Sequence, residues 1–378
     1  MEFSLTKKQQ ENVDKARAFT KEWVSPNAVK YDRSGEFPRD ICQEAFNLNF
    51  MNPHIPKEYG GEETCVLDHC LIMEEICTGC SGIGTALGSN GLSQYPVIFA
   101  GNDFQKKKFL EPMTQELMFS AYCVTEPEAG SDVSRIKTTA QKVGNDYVIN
   151  GVKWWITCGS VASWYFVLAR VEDRATGFIV PADTEGIIRG MKEHNLGQHA
   201  SNTIRVTFED VKVPQEYRLG EEGDGFKIAM KTFDHTRPGI ASGSNGITKA
   251  ALNIALTYAK ARRTFDKKLI SYQGISFKLA EMMTKLDAAR YMTYLSADLF
   301  DQKQDNARQA AQAKWYAAEV AMWATVDCCQ ILGGYGYTNE MPAEKLMRDA
   351  KIYQIYEGAS EIQKMIIVGK LMRTREVH

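Results

Sequence analysis

The chain has 378 residues, of which 44% are hydrophobic and 24% are charged, and its formal net charge at pH 7 is -2. This length and balance are typical of a soluble globular protein of two or three domains, and the near-zero charge excludes a globally basic surface for nucleic acid or acidic membranes. No apolar run reaches the length of a transmembrane helix, and the first residues lack the pattern of a secretory signal.

Cysteine usage indicates reduced thiols. Nine cysteines are present, and an odd number in a chain of this length favours free thiols over a disulfide framework. Four of them, at positions 65, 70, 77 and 80, include a CxxC pair that has the spacing of a partial zinc site. Residues 67–76 have the pattern of an amphipathic helix, in which cysteine is a common small hydrophobe. We therefore expect buried cysteines and no metal.

Residues 1–117 have a helical pattern. Phe19, Trp23 and Val24 recur at helical spacing, and Pro26 follows where a helix would end. A second apolar stripe runs through residues 72–77. These patterns predict an N-terminal helical domain.

Residues 118–220 have a β pattern. The dipeptide Asn150-Gly151 lies between two β-rich segments, which predicts a hairpin turn at that point. Residues 164–168 and 177–180 are short apolar runs typical of buried strands. Apolar and polar residues alternate over 204–209, as in a half-exposed strand. The sequence therefore predicts a middle β-domain.

Residues 221–378 return to a helical pattern. Apolar residues follow helical spacing over 275–286 and 315–329, and a closing helix is predicted around 362–369. Such helices favour a bundle whose apolar faces pack on one another or on another subunit. The fold class is therefore α+β, with helices first, a β-domain next and a helical bundle last.

A glycine-rich stretch at residues 332–336 follows a helix predicted to end at Gln330. Because no strand precedes it, it does not match a dinucleotide-binding fingerprint, and the chain contains no Walker A sequence. A helix C-cap explains the glycines equally well. Nicotinamide and nucleoside-triphosphate chemistry are therefore disfavoured.

Seven segments spread over nearly the whole chain carry a recognisable pattern: residues 122–132, 155–157, 233–238, 262–265, 330–334, 348–351 and 355–360. Together they resemble the acyl-CoA dehydrogenase family, and the medium-chain members are the most similar. The resemblance implies an N-terminal helical domain, a middle β-domain and a C-terminal four-helix bundle. It also implies FAD as cofactor, and a homotetramer built as a dimer of dimers with FAD held between subunits.

The activity that the resemblance implies is α,β-dehydrogenation of a fatty acyl-CoA to trans-2-enoyl-CoA in fatty acid β-oxidation. Electrons would pass to the electron transfer flavoprotein. The implied compartment is the mitochondrial matrix, with a bacterial cytoplasm as the alternative. No nucleic acid and no membrane span are expected.

The family's catalytic base falls on Glu357, which would remove the α-proton of the thioester. Burial of a glutamate raises its pKa toward the range in which it works as a base near neutral pH. Some members carry the base on a different helix, at the position that corresponds to Thr236. Because threonine stands there, the chain resembles the medium- and short-chain arrangement. Gly358 would allow close approach of backbone and substrate.

The resemblance also assigns cofactor and substrate contacts. Trp155 and Thr157 would lie against the isoalloxazine, Arg262 would reach the FAD of a neighbouring subunit, and Arg237 would orient Glu357. The implied cofactor-binding residues are Tyr122, Val124, Thr125, Gly130, Ser131, Trp155, Ile156, Thr157, Arg262, Thr264, Phe265, Gln273, Gln330, Leu332, Gly333, Gly334 and Ser360. The implied substrate-binding residues are Ser131, Asp234, Arg237, Tyr356 and Gly358.

Two departures bear on acyl chain length. Gly88 stands where the medium-chain type carries a glutamate at the floor of its acyl pocket, which would deepen the cavity unless neighbours such as Tyr95 refill it. The loop over residues 170–176 is shorter than in that type. Short- and branched-chain members of the family remain alternatives. A catalytically idle protein that binds flavin or acyl-CoA is the alternative of another class, whereas glutaryl-type decarboxylation and acyl-CoA oxidase activity are disfavoured.

Overall fold

A computed structural model describes residues 4–373, of which residues 4–119 contain only helices and loops. The first helix begins with a capping box, in which Thr6 and Gln9 exchange hydrogen bonds between side chain and backbone. The helices of this region are α1 Lys7–Phe19, α2 Ala28–Ser34, α3 Arg39–Asn47, α4 Val66–Gly79, α5 Ser81–Gly88, α6 Asn90–Ala100, α7 Asp103–Phe109 and α8 Pro112–Gln115.

The predicted helix end at Pro26 is wrong. The α-helical geometry of α1 already ends at Phe19, and the chain continues through a π-helical turn, Thr20–Val24, and a 3-10 turn, Ser25–Asn27, into α2. Pro26 lies in the first turn of the 3-10 segment, where its missing N–H group leaves no hydrogen bond unmade. A proline in such a place permits a new helical turn instead of ending one.

Helix α4 is buried on nearly all sides, so the predicted one-sided helix is wrong in that respect. Residues 70–77 are all buried, including Glu74 and Glu75. Glu74 pairs with Arg290 at 2.7 Å, and Glu75 pairs with Lys249 at 2.7 Å. The apolar stripe is visible in the sequence, whereas the burial of these two carboxylates depends on cationic partners that are distant in the chain.

The middle region forms one mixed sheet in the order β6-β7-β3-β2-β4-β5-β8, with β1 parallel to β4. The buried strands predicted over 164–168 and 177–180 are present in β4 and β5, and the alternation over 204–209 lies in β7. The strands are β1 Ser120–Cys123, β2 Thr139–Val143, β3 Asp146–Thr157, β4 Trp164–Val171, β5 Arg174–Pro181, β6 Ile187–Lys192, β7 Thr203–Pro214 and β8 Arg218–Leu219.

The hairpin predicted at Asn150-Gly151 is wrong, because both residues lie inside strand β3. The turn that joins β2 to β3 is Gly144-Asn145, with glycine at a φ of 62°. Asn150 and Gly151 instead form a register shift against β7, and the side chain and backbone of Asp210 are hydrogen-bonded to the Asn150 amide. Asn-Gly is common in turns, but in this protein the dipeptide forms a β-bulge.

The C-terminal region contains three long helices, and α14 packs on α11 beside them. Their shared interface is rich in alanine, which lets the helix axes approach closely. The elements are α9 Gly225–Ala261, a short hairpin of β9 Arg263–Thr264 and β10 Lys267–Lys268, α10 Gln273–Asp301, α11 Ala307–Leu332, α12 Gly334–Tyr337, α13 Ala343–Lys351 and α14 Ser360–Leu371. Among residues 4–373, no helix is both long and apolar enough to span a membrane.

Close contact between α4 and α9 joins the first and last regions. At Gly246 of α9, an added Cβ would meet the backbone oxygen of Glu74 and the backbone and side chain of Cys77. Only glycine permits this approach. With α5, α6 and the edge of the sheet, these two helices enclose a central cavity.

Candidate active site

A cavity of about 660 Å³ lies where the three regions meet. Helices α4, α5 and α6 form one wall, strand β3 and the loop after β1 form another, and α9 with the loop before α14 closes it. Of the residues predicted to bind cofactor or substrate, the following line this one cavity: Tyr122, Thr125, Gly130, Ser131, Trp155, Ile156, Thr157, Arg237, Tyr356, Glu357 and Gly358.

Glu357 enters the cavity from a left-handed turn. Its φ is 50° and that of Gly358 is 92°, so two consecutive residues have positive φ. A Cβ on Gly358 would collide with the side-chain amide of Gln363, so glycine is required there for both conformation and space. The carbonyl oxygen of Gly358 accepts hydrogen bonds from Lys314 Nζ at 2.6 Å and from Gln363 Nε2 at 2.8 Å. These two donors hold the turn, and with it the carboxylate, in place.

The carboxylate of Glu357 accepts a hydrogen bond from the hydroxyl of Thr236 at 2.7 Å. Burial raises the pKa of Glu357 above its ordinary value, while the Thr236 hydrogen bond and the charges of Lys314 and Arg237 partly oppose the shift. The group is therefore a carboxylate whose proton affinity is increased by its surroundings, and it faces open cavity. Those are the properties of a general base.

Lys314 contacts the turn that carries Glu357, and the motif comparison does not include it. It is fully buried on α11, and burial together with the charge of Arg237 lowers its pKa to about 7, against an opposing effect of Glu357. The signal in the sequence was its position: Ala310, Ala317 and Ala318 surround it at helical spacing on the buried face. A lysine on such a face requires a specific partner, which here is the turn that carries Glu357.

Arg237 acts on Glu357 at a distance. It forms an ion pair with Asp234, one turn earlier on α9, and its Nε has no hydrogen-bond partner in the described part of the chain. Burial lowers the pKa of Arg237, against the opposing charges of Asp234 and Glu357. The expected orientation of Glu357 by Arg237 is thus electrostatic, since Thr236 makes the hydrogen bond. Asp234 is held by this pair and does not line the cavity.

Tyr356 lies beside Glu357 in the same loop. Its hydroxyl accepts a hydrogen bond from Gln198 Nε2 at 3.4 Å, and its ring packs edge-on against Tyr353 at 5.3 Å. Burial raises the pKa of Tyr356 far above its ordinary value. The residue therefore remains an uncharged phenol on the wall next to the carboxylate.

Strand β3 presents Trp155 to the cavity through a second bulge. The register against β7 shifts between Lys153 and Ile156, and Trp155 has a φ of 57° with 52% of its surface exposed. A large residue in that conformation is strained, and such strain is typical of functional sites. The hydroxyls of Thr125, Ser131 and Thr157 also line the cavity and make no hydrogen bond with any described residue. An exposed indole and three hydroxyls can receive a planar polar ring.

A buried ion pair fixes the loop that carries Thr125. Lys153 is 0% exposed and Glu126 5% exposed, and Lys153 Nζ lies 2.8 Å from Glu126 Oε1 and 3.1 Å from the carbonyl of Val124. Burial raises the pKa of Glu126, but the charge of Lys153 and its hydrogen bond outweigh that effect and lower it. The side chain of Val124 is buried in the core, so only its backbone carbonyl takes part in this hydrogen bonding. Trp154 N–H donates to Thr125 O at 3.0 Å and completes the link between loop and strand.

A second group of predicted cofactor residues lines a different, shallower cleft of about 560 Å³. It contains Arg262, Thr264, Leu332, Gly333 and Gly334, and no residue that lines the first cavity lines this one as well. Helix α11 runs to Leu332 instead of the predicted Gln330, and Gly333 ends it with a φ of 61°.

Five predicted cofactor residues line neither cavity: Val124, whose side chain lies in the core, and four others. Phe265 is 91% exposed, and Gln273 begins α10. Gln330 is exposed on α11. Ser360 is buried and donates to Glu319 at 2.7 Å. Their roles stay predictions.

Three family models match successive parts of the chain. They are the acyl-CoA dehydrogenase N-terminal domain at residues 6–116, the middle domain at 121–211 and the C-terminal domain at 223–372. A probable medium-chain specific acyl-CoA dehydrogenase 2, mitochondrial, of Caenorhabditis briggsae is 43% identical over 381 residues, which cover 98% of this chain and 92% of the relative.

Solved structures are similar over the same extent. The butyryl-CoA dehydrogenase of Megasphaera elsdenii superimposes with a TM-score of 0.96 at 39% identity, covering 99% of this chain and 100% of that one. A chain in the structure described as the electron transferring flavoprotein of Acidaminococcus fermentans superimposes with a TM-score of 0.97 at 38% identity, with the same coverage.

We predict that Lys153→Met destabilises the protein by about 3 kcal/mol, because it leaves the Glu126 carboxylate buried without its partner. The matched control is Lys137→Met, whose pair with Glu128 is 69% and 65% exposed and lies in the same loop region. That variant should change stability by less than about 0.5 kcal/mol. Urea unfolding of both variants measures the difference, and equal effects would show that the buried pair does not anchor the loop.

Proposed function

Because the chain belongs to the acyl-CoA dehydrogenase family, whose cofactor is FAD, we propose that it oxidises medium-chain fatty acyl-CoA thioesters to trans-2-enoyl-CoA in fatty acid β-oxidation. The observation that carries the proposal is Glu357: a carboxylate with a raised pKa, held on a rigid turn at the wall of a cavity of about 660 Å³.

Glu357 removes the α-proton of the thioester in this proposal. The α-carbon is only weakly acidic, so the negative charge that develops on the thioester oxygen must meet hydrogen-bond donors. The backbone N–H of Glu357 makes no hydrogen bond within the described residues and is free to bind that oxygen. Base and oxygen-binding donor therefore belong to the same residue.

Thr236 and Lys314 have separate effects on this base. The Thr236 hydroxyl donates to the ionised carboxylate and so stabilises the form that accepts a proton. Lys314 donates to the backbone of the turn and keeps the carboxylate in position. Entry of an apolar acyl chain excludes water from the cavity, which raises the proton affinity of Glu357 further.

The residues of the first cavity suit the isoalloxazine end of FAD. Trp155 offers an exposed indole face, and Thr125, Ser131 and Thr157 offer hydroxyls that no side chain or backbone group of the described chain engages. FAD bound there supplies the acceptor for the hydride that leaves the β-carbon. The chain's own contribution is to orient the acyl group, to remove the α-proton and to keep water out.

The division of the predicted cofactor residues between two clefts supports the proposal that FAD is shared between subunits. Arg262, Thr264 and the glycines after α11 line a cleft separate from the one that contains Glu357. A second copy of the chain that brings its cleft to this cavity would place both groups on one FAD molecule, and we propose such a dimer as the unit of the homotetramer. An arginine at the second cleft suits a pyrophosphate.

The proposed acyl chain length rests on the shape of the cavity and on the relatives, and the proposed electron acceptor and compartment rest on the relatives alone. Gly84 and Gly88 line the wall formed by α5, where an added Cβ at Gly88 would lie 3.3 Å from Met73 Cε. Two glycines there favour a medium over a short acyl chain, and the medium-chain relative at 43% identity is slightly more similar than the butyryl-CoA dehydrogenase at 39%, while Tyr95 also lines the cavity. We propose the electron transfer flavoprotein as acceptor and the mitochondrial matrix as compartment, with a bacterial cytoplasm as the alternative.

We predict that Glu357→Gln retains FAD and abolishes reduction of the flavin by acyl-CoA, because an amide has the size of the carboxylate but accepts no proton. Anaerobic stopped-flow absorbance measures the reduction, and the flavin spectrum of the purified variant confirms loading. Near-normal reduction would assign the base elsewhere. Loss of FAD from the variant would show that Glu357 serves mainly the structure, as expected for an idle binding protein.

We predict that Thr236→Val moves the acid limb of the pH–rate profile for flavin reduction to higher pH. The variant removes a hydrogen bond to a charged group, worth roughly 1.5–3 kcal/mol, so the pKa of Glu357 rises further and the base is protonated at a higher pH. Thr236→Ser keeps the hydroxyl and serves as the matched control, with a profile close to that of the unmodified protein. Identical profiles for valine and serine would contradict the role of this hydrogen bond.

A further inference from the structure

One wall of the cavity is formed by four polar rings: His54, His69 on α4, Tyr95 on α6 and His235 on α9. We refer to these four residues as the imidazole wall. They come from four separate places in the sequence, and the motifs that identify the family include only the segment around His235. The wall belongs to the cavity that contains Glu357.

The rings of the imidazole wall pack on one another. The ring centroids of Tyr95 and His54 lie 4.6 Å apart, and those of Tyr95 and His235 lie 3.7 Å apart. Phe300 closes the far side of His235 at 4.0 Å. These contacts fix the rings of His54, Tyr95 and His235, whereas His69 makes no such ring contact with the described residues.

The polar atoms of the imidazole wall have few partners among the described residues: the Gln94 amide affects the pKa of His54 but makes no hydrogen bond of normal geometry with its ring. Both ring nitrogens of His54 and both of His235 are buried and unpaired. His69 and Tyr95 also line the cavity, and no hydrogen bond joins the imidazole or the hydroxyl to the rest of the described chain. Buried polar groups without partners cost free energy and are rare in native proteins, so the four buried ring nitrogens of His54 and His235 require an explanation.

A glycine on α9 leaves the space beside His69 open. At Gly239 on α9, an added Cβ would have only the ring of His69 within 4 Å, at 3.4 Å. Gly239 lies one helical turn after Thr236, the hydrogen-bond partner of Glu357, which is about 5 Å along the axis. His69 is therefore reached from the catalytic carboxylate by following α9 for one turn. A group a few bonds from the α-carbon of a substrate lies at that distance.

The imidazole wall is uncharged at neutral pH. Burial lowers the pKa of His69 to about 4, and burial with the neighbouring His69 lowers that of His54 to about 3, against an opposing effect of Gln94. Burial lowers the pKa of His235 far below its ordinary value, and His54, His69 and Lys231 add to this effect. Each ring then offers one donor and one acceptor.

The cations that line the cavity are engaged elsewhere. Arg237 pairs with Asp234, and Arg348 pairs with Asp32 at 2.7 Å and with Glu344 at 2.6 Å. Lys351 donates to Gln354 at 2.8 Å. Arg237 and Arg348 thus already pair with carboxylates, Lys351 is exposed and keeps its charge, and none of these three cations belongs to the imidazole wall.

We propose that the imidazole wall binds a hydroxyl group on the acyl chain of the substrate, with His69 and Tyr95 as its hydrogen-bond partners. A hydroxyl both donates and accepts, as a neutral imidazole does, so one group satisfies both kinds of atom. A plain alkyl chain leaves these atoms unpaired, and the missing hydrogen bonds reduce its affinity. The inference rests on the proposed function, since it concerns the substrate of the same cavity.

The test is isothermal titration calorimetry of the FAD-loaded Glu357→Gln protein, in which turnover does not interfere. Straight-chain thioesters from butyryl- to octanoyl-CoA are compared with ω-hydroxyacyl-CoA thioesters of the same lengths. We expect the hydroxylated compound to bind about tenfold more tightly at one of these lengths, the value of one well-formed hydrogen bond with its desolvated partner. Adding His69→Leu should remove that preference, whereas Met73→Leu, an apolar exchange in the same wall, should retain it.

Equal affinity of the hydroxylated and plain thioesters at every length would overturn the inference while leaving the proposed function intact. Retention of the preference in the His69→Leu protein would do the same. Tighter binding of an ω-carboxyacyl-CoA than of the ω-hydroxy compound would show that the wall becomes charged and selects an acid. Failure of all the thioesters to bind would refute the proposed function itself, and the inference with it.

Discussion

The site depends on a left-handed turn that two side chains hold from behind. Glu357 and Gly358 both have positive φ, and only glycine permits the second of these beside Gln363. Lys314, a buried amine on α11, donates a hydrogen bond to the carbonyl of Gly358. That bond and the nearby charge of Glu357 offset the free-energy cost of burying the amine. Without these contacts the loop before α14 would be an ordinary connection, and its carboxylate would have no fixed place. Thr236 on α9 then sets how readily the carboxylate takes a proton.

The rest of the fold brings surfaces to this turn. Close contact of α4 and α9 at Gly246 joins the first helical region to the last, and the bulges of β3 aim Trp155 at the cavity. The buried pair of Lys153 and Glu126 fixes the loop with Thr125. These features lie on different elements around a single cavity. Each departs from regular structure: one is a strand bulge, one is a close helix contact at a glycine, and one is a buried ion pair.

Residues within contiguous motifs were predictable, whereas residues whose partners are distant in the chain were not. Glu357, Trp155 and Thr157 lie in short ordered segments, and the structure brings them to one cavity. The order of helices, sheet and helices was also readable from periodicity. Asn150-Gly151 was assigned to a turn because the dipeptide favours both a turn and a bulge, and pairing with β7 decides between them. The contacts of Lys314 and of the imidazole wall could not be predicted from local sequence, because they depend on which helices pack together.

The central claim is that this chain couples a carboxylate base to a flavin that accepts electrons from an acyl-CoA. The visible absorption spectrum of the FAD-loaded protein, recorded anaerobically before and after addition of octanoyl-CoA, tests it most directly. The account predicts that the flavin bands bleach on addition, since removal of the α-proton by Glu357 and reduction of the flavin occur together. Flavin bands that persist with every acyl-CoA from butyryl to palmitoyl, or a protein that binds no FAD, would contradict it.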